Sequence, residues 1–149
     1  GTLVALDPNI RPFYATEAHK KFLTDLLPHV SVLKLSDEEV DFLGEEFTHQ
    51  VPIVATTRGG DGISVRAGDT SLDVPAAAVE VTDTIGAGDT IMAALLAQLD
   101  ERGLDVDKAA ALSAEEWREI LHFAATAAGI TVSRTGANPP LRKEVESAL

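Results

Sequence analysis

Residues 82–99 read TDTIGAGDTIMAALLAQL, an apolar helical run entered through two closely spaced glycines, with aspartates at 83 and 89. A helix N-terminus offers unpaired amides and the positive end of a dipole. Glycines there admit an anion to the backbone with no Cβ in the way. Gly86, Ala87 and Gly88 suit that task. Asp89 falls in the first turn, and a carboxylate beside an anion site makes chemical sense if it takes a proton from a nucleophile attacking that anion. Phosphoryl transfer is such a reaction, since it asks for positioning, charge stabilisation and a base to orient the attacking hydroxyl. Taken alone, the same letters also describe a capped helix behind a tight turn, with Asp83, Thr84 or Asp89 as the cap.

Outward from this stretch, strands and helices alternate. LVALD (3–7) reads as a buried strand cut off by Pro8. Helical spacing follows from Thr16, a plausible N-cap, to Val30. SVLKL (31–35) is a second strand, and SDEEVDFLG a short helix with Ser36 as cap, Glu39 at the capping-box position and Gly44 as terminator. VPIVATT (51–57) is a third buried strand, and GISVRAG with TSLDVPA reads as a hairpin turning at 67–69. The helix after GAG ends at Gly103, a second long helix over 113–129 opens with a Ser113/Glu116 box, and LRKEVESAL closes the chain as a last helix. This order predicts an α/β fold with a mostly parallel sheet whose ligands sit beyond the carboxyl ends of the strands, where DPN, TTRGGDG and TDTIGAGD all fall.

Composition narrows the function classes. The 149 residues are 45% hydrophobic and 24% charged, as in one globular domain. A net charge of −12 opposes binding to nucleic acid or an anionic membrane over most of the surface, so any phosphate must be held locally. With no cysteine, neither a disulfide framework nor a thiolate zinc site is available. Neither a membrane span nor a signal peptide is indicated, and a cytoplasmic protein is the expectation. Walker and dinucleotide-binding glycine patterns are absent, as are GxSxG and HExxH, and the four histidines have no ligand-like spacing.

The stretch TDTIGAGDTIMAALLAQL resembles the C-terminal signature of the PfkB, or ribokinase-like, carbohydrate kinases. It is joined in family order by DPNIRP (7–12), VLKLSDEEVDFL (32–43), VATTRGGDGISV (54–65) and ITVSRTGANPP (130–140). Among subfamilies, DPNIRP followed by LKLSDEEVDFL is most similar to bacterial fructokinases, with ribokinase and 2-keto-3-deoxygluconate kinase as alternatives. Thr90–Ile91 departs from the family, which more often has a small residue and then phenylalanine.

The resemblance implies a ribokinase-like fold, ATP with Mg2+ as phosphoryl donor, and a sugar as acceptor. It implies that Asp89 is the base and that the amides of Gly86, Ala87 and Gly88 form the anion hole. By the same carry-over Thr57, Gly59, Gly60 and Gly62 lie along the nucleotide, and Asn138 and the helix over 123–129 border the adenine. Ser36 and Glu39 stand where the family has an N-x-x-E motif tied to magnesium and phosphate, although the pair also makes a capping box. Asp83, with backbone carbonyls near Ile85, Thr131, Arg134 and Gly136, matches the family's monovalent-cation loop, where K+ would bind. Arg11 could meet a substrate or phosphate oxygen or form a surface ion pair.

Family members run to roughly double this length. The expectation is therefore that residues 1–149 form the C-terminal nucleotide-binding and catalytic portion of such a kinase, without the sugar-binding half and the lid. Two readings follow: a sugar kinase portion with little turnover of its own, or a non-catalytic nucleotide-binding or structural module. A homodimer covering the exposed sheet edge would accompany the second.

Overall fold

The computed structural model describes residues 2–149. Five strands form one sheet in sequential order: β1 (Ala5–Leu6), β2 (Val32–Ser36), β3 (Ile53–Thr57), β4 (Ile63–Ala67) and β5 (Thr70–Val74). The first three run parallel, and β4 and β5 return antiparallel as the expected hairpin. Among the described residues seven α-helices flank the sheet: α1 (Glu17–Leu26), α2 (Asp37–Leu43), α3 (Glu45–Thr48), α4 (Ala87–Glu101), α5 (Val106–Ala110), α6 (Ala114–Val132) and α7 (Arg142–Ala148).

Alternation along the strands sorts the core into two clusters, because successive side chains point to opposite faces. Leu33, Leu35 and Val54 pack with Leu23, Leu27, Leu43 and Phe47, beneath α1, α2 and α3. Val32, Ile53, Ala55 and the inner face of the hairpin pack instead against α4, α6 and Val145 of α7. Each fully buried leucine contributes roughly 1.5–3 kcal/mol by leaving water, so these two layers, and not helix propensity, hold the short elements in place. Trp117, 1% exposed, sends its indole N–H to the Ala109 carbonyl at 3.2 Å and so fastens α5 to α6.

Local signals explain most boundaries. The Thr16 hydroxyl accepts the His19 amide at the start of α1. Capping boxes form at Ser36/Glu39 and Ser113/Glu116, and Gly44 ends α2 at φ 88°. Two expectations need correction, and two short helices add to them. The first strand is not buried: Ala5–Leu6 pair with β2, Ala5 is exposed and Val4 is 43% exposed, because among the described residues this strand lies at the edge of the sheet. The second long helix does not stop at Gly129 but runs on to Val132. A Cβ on Gly129 would lie 2.6 Å from the Ala77 Cβ, so this glycine lets a neighbouring segment approach and does not terminate the helix. Helices α3 and α5, of four and five residues, were not anticipated, being too short for a periodic pattern to show.

Candidate active site

Two cavities open at the carboxyl ends of the parallel strands, where α/β sheets bind ligands. The first, about 460 Å3, is apolar. One wall is the segment Ala76–Val81, another is Ala125, Ala128, Gly129 and Val132 of α6, and its rim carries Thr57, Gly59, Gly60 and Gly62. The second, about 720 Å3, is polar and is lined by Asp7, Asn9, Arg11, Lys34, Ser36, Glu38, Glu39, Gly86 and Asp89 among others. Thr57, Thr84 and Gly88 border both. The cavities therefore meet at the N-terminus of α4.

That N-terminus is shaped by one turn. The Ala87 amide donates to the Thr84 carbonyl at 3.3 Å, and Gly86 takes φ 81°, ψ 1°, a left-handed conformation that favours glycine. Of the three amides expected to face an anion, that of Ala87 is thus spent on the turn. The amides of Gly86 and Gly88 have no protein acceptor among the described residues, and the Asp89 amide joins them. The glycines also differ from their expected use. A Cβ on Gly86 would meet Ala137 at 3.2 Å, and one on Gly88 would come 2.9 Å from the Lys34 ammonium. Gly88 makes room for a buried lysine as well as leaving its amide open.

The two aspartates of the opening stretch divide their tasks. Asp83 accepts the Ile85 amide at 3.0 Å and the Gly136 amide at 2.9 Å. These bonds, Ile85's foremost, hold its carboxyl below the ordinary aspartate range. They also join the loop before α4 to the loop after α6, so Asp83, Ile85, Thr131, Arg134 and Gly136 come together. Yet both Asp83 oxygens are engaged by backbone, the Thr131 carbonyl accepts the Arg134 amide at 3.1 Å, and the Arg134 side chain pairs with Glu144 at 2.6 Å. Asp89 is exposed and makes no hydrogen bond or ion pair with the protein among the described residues, which leaves its carboxylate free for a ligand. Thr90 links the helices behind the site: its hydroxyl donates to the Gly86 carbonyl at 2.8 Å and lies 2.9 Å from that of Thr131.

On the polar side, Glu39 is 7% exposed and accepts the Ile10 amide at 2.6 Å and the Ser36 amide at 2.7 Å. It therefore fastens the DPNIR loop to α2 as well as capping the helix, and the Ser36 hydroxyl is committed to the Glu39 amide at 3.2 Å. No cluster of three or more acidic or histidine ligands occurs among the described residues. Magnesium held by one carboxylate and donor phosphates needs no such cluster, and Glu39 and Asp89 border the same space. Arg11 lines this cavity, is exposed and forms no ion pair among the described residues. Asn138 is exposed and outside the walls of both cavities.

Sequence reasoning missed Lys34. It is 6% exposed and donates to Asp7 at 2.7 Å. The parallel register pairs Leu6 with Leu33, so the next step places Asp7 beside Lys34. A charged residue inside the run SVLKL was the available signal, since lysine is almost never buried without a partner. No helix among the described residues is long and apolar enough to cross a membrane.

Comparison with known proteins agrees with this architecture. The pfkB family carbohydrate kinase pattern matches residues 2–144. A fructokinase of Rhizobium leguminosarum bv. trifolii is 33% identical over 109 residues, covering 65% of this chain and 33% of the relative. Probable fructokinase-6, chloroplastic, of Arabidopsis thaliana is 31% identical across 100% of this chain and 42% of its own length. The crystal structure of a fructokinase with bound ATP from Xylella fastidiosa superposes with a TM-score of 0.85 at 27% identity, covering 99% of this chain and 51% of that one. The chain thus spans between a third and a half of the length of these relatives. With five ordered motifs, a shared fold and a match along nearly its whole length, the chain belongs to the pfkB family of carbohydrate kinases.

Proposed function

We propose that residues 1–149 carry the nucleotide side and the phosphoryl-transfer centre of an ATP-dependent sugar kinase of fructokinase type. One observation carries this reading: an apolar cavity and a polar cavity meet at Gly88, with the free Asp89 carboxylate on the polar side. The apolar cavity suits a purine, and the rim of Thr57, Gly59, Gly60 and Gly62 suits the donor's phosphates. The acceptor hydroxyl then lies in the polar cavity, within reach of Asp89.

In the reaction the acceptor oxygen forms a bond to the terminal phosphorus while the bridging P–O bond to ADP breaks, and the hydroxyl proton passes to Asp89. The open amides of Gly86, Gly88 and Asp89, at the positive end of α4, stabilise the charge on the equatorial oxygens. Magnesium, if bound with the donor phosphates, would supply charge neutralisation, and Glu39, which lines the polar cavity, is a carboxylate that could help hold it. Fructokinase similarity favours fructose as acceptor over ribose or 2-keto-3-deoxygluconate.

Calorimetry with ATP in excess magnesium tests the nucleotide side, and the absence of any heat at about millimolar nucleotide refutes it. For the chemistry, Asp89→Ala in the catalytically competent protein should lower kcat by about 10²–10⁴ with little change in ATP affinity. Near-normal turnover in that variant defeats the base assignment.

A further inference from the structure

Lys34 is the buried cation of the site, and neither the motif resemblance nor the comparisons give it a task. It follows Val32 on the face of β2 that packs against α4 and α6, where an apolar side chain would have extended the core. Instead it ends beneath the N-terminus of α4, 2.9 Å from where a Gly88 Cβ would stand. Asp7 receives one of its N–H groups, at 2.7 Å, and the other two have no protein acceptor among the described residues. Lys34 and Asp7 both line the polar cavity. A structural ion pair explains the 2.7 Å contact. It does not explain why the remaining N–H groups face a cavity at the place where the two compartments join, or why the helix leaves a glycine there.

We propose that Lys34, oriented by Asp7, binds an oxygen of the phosphoryl group as that group passes between the two cavities. This rests on the kinase reading and adds a side-chain cation to a centre otherwise served by backbone amides. In a chain of net charge −12, a triphosphate otherwise meets a repelling surface, and a desolvated ammonium acts on it more strongly than an exposed one. Asp7 prevents the lysine from swinging into solvent, and Gly88 leaves it the space to sit close to the open amides.

The test compares ATP with AMP, in excess magnesium, on the 149-residue chain. AMP fills the apolar cavity but lacks the terminal phosphates. Lys34→Met should weaken ATP binding about tenfold, equivalent to about 1.4 kcal/mol, and leave AMP binding within about twofold. Because Lys34→Met leaves the Asp7 carboxylate without its partner, the double variant Asp7→Asn/Lys34→Met is measured in parallel and decides the matter where the single variant fails to fold. An equal loss for ATP and AMP, or an undiminished ATP affinity in a folded variant, overturns the proposal and leaves the kinase reading standing. If the unaltered chain binds neither nucleotide, the kinase reading falls, and this proposal falls with it.

Discussion

Replacing Glu39 with alanine tests how the polar cavity is held together. The carboxylate accepts two backbone amides, from Ile10 and Ser36, at 2.6 and 2.7 Å. Hydrogen bonds to a charged group contribute roughly 1.5–3 kcal/mol each. Their combined loss is about 3–6 kcal/mol at most, and water entering from the cavity offsets part of it. A net destabilisation of about 3 kcal/mol is expected, against about 5–15 kcal/mol for a whole domain. Losing a helix cap alone costs about 1 kcal/mol, so the magnitude separates a simple cap from a tether across the fold. Glu39→Gln keeps one acceptor and turns an amide donor toward an N–H group, and should fall between wild type and alanine. Urea unfolding followed by Trp117 fluorescence gives the free energy, and amide exchange at Ile10 and Ser36 gives the location. A loss no greater than that of a cap, or unchanged protection at Ile10, refutes the tether.

Two other positions give contrasting outcomes. Gly62 has φ 103°, and a Cβ there would lie 2.0 Å from the Val74 carbonyl oxygen, whereas Gly60 has nothing within 4 Å. Gly62→Ala should destabilise by at least about 2 kcal/mol and Gly60→Ala by less than about 0.5 kcal/mol, measured by thermal unfolding. Asp83 has a depressed carboxyl pKa in the folded state, so its stabilisation is present above the unfolded value of about 3.9 and is lost as pH falls through the folded one. Asp83→Asn should therefore lower stability at neutral pH and flatten the acid limb of the stability profile below about pH 4, and an unchanged acid limb would show that Asp83 does not couple the two loops.

How far the sequence could be read depended on the range of each interaction. Ser36 with Glu39 and Ser113 with Glu116 act within one helical turn, so the letters alone announced both boxes. The hairpin was equally local. What escaped was tertiary. The second long helix was read only as far as Gly129, because sequence does not distinguish a glycine at a helix end from one inside a helix that admits a neighbour, here Ala77. The first strand was read as buried from its apolar letters, which do not say that it lies at an edge. Asp7 and Lys34 lie 27 residues apart and become partners only through the β1–β2 register. Ala87 was expected to present its amide to a ligand and instead closes the turn, a distinction of one hydrogen bond that no spacing rule contains.

The sequential strand order has a consequence for biosynthesis. Among the described residues each strand from β2 to β5 pairs with the one made just before it, so this part of the sheet can grow in step with synthesis. The ligand-facing parts mature on a different schedule. The polar side is framed once β3 exists, but the open amides arrive with α4 and the apolar wall only with α6. In order of synthesis this sheet therefore precedes both cavities, and on the proposed kinase reading a nucleotide can stabilise only a chain in which α6 has already been made.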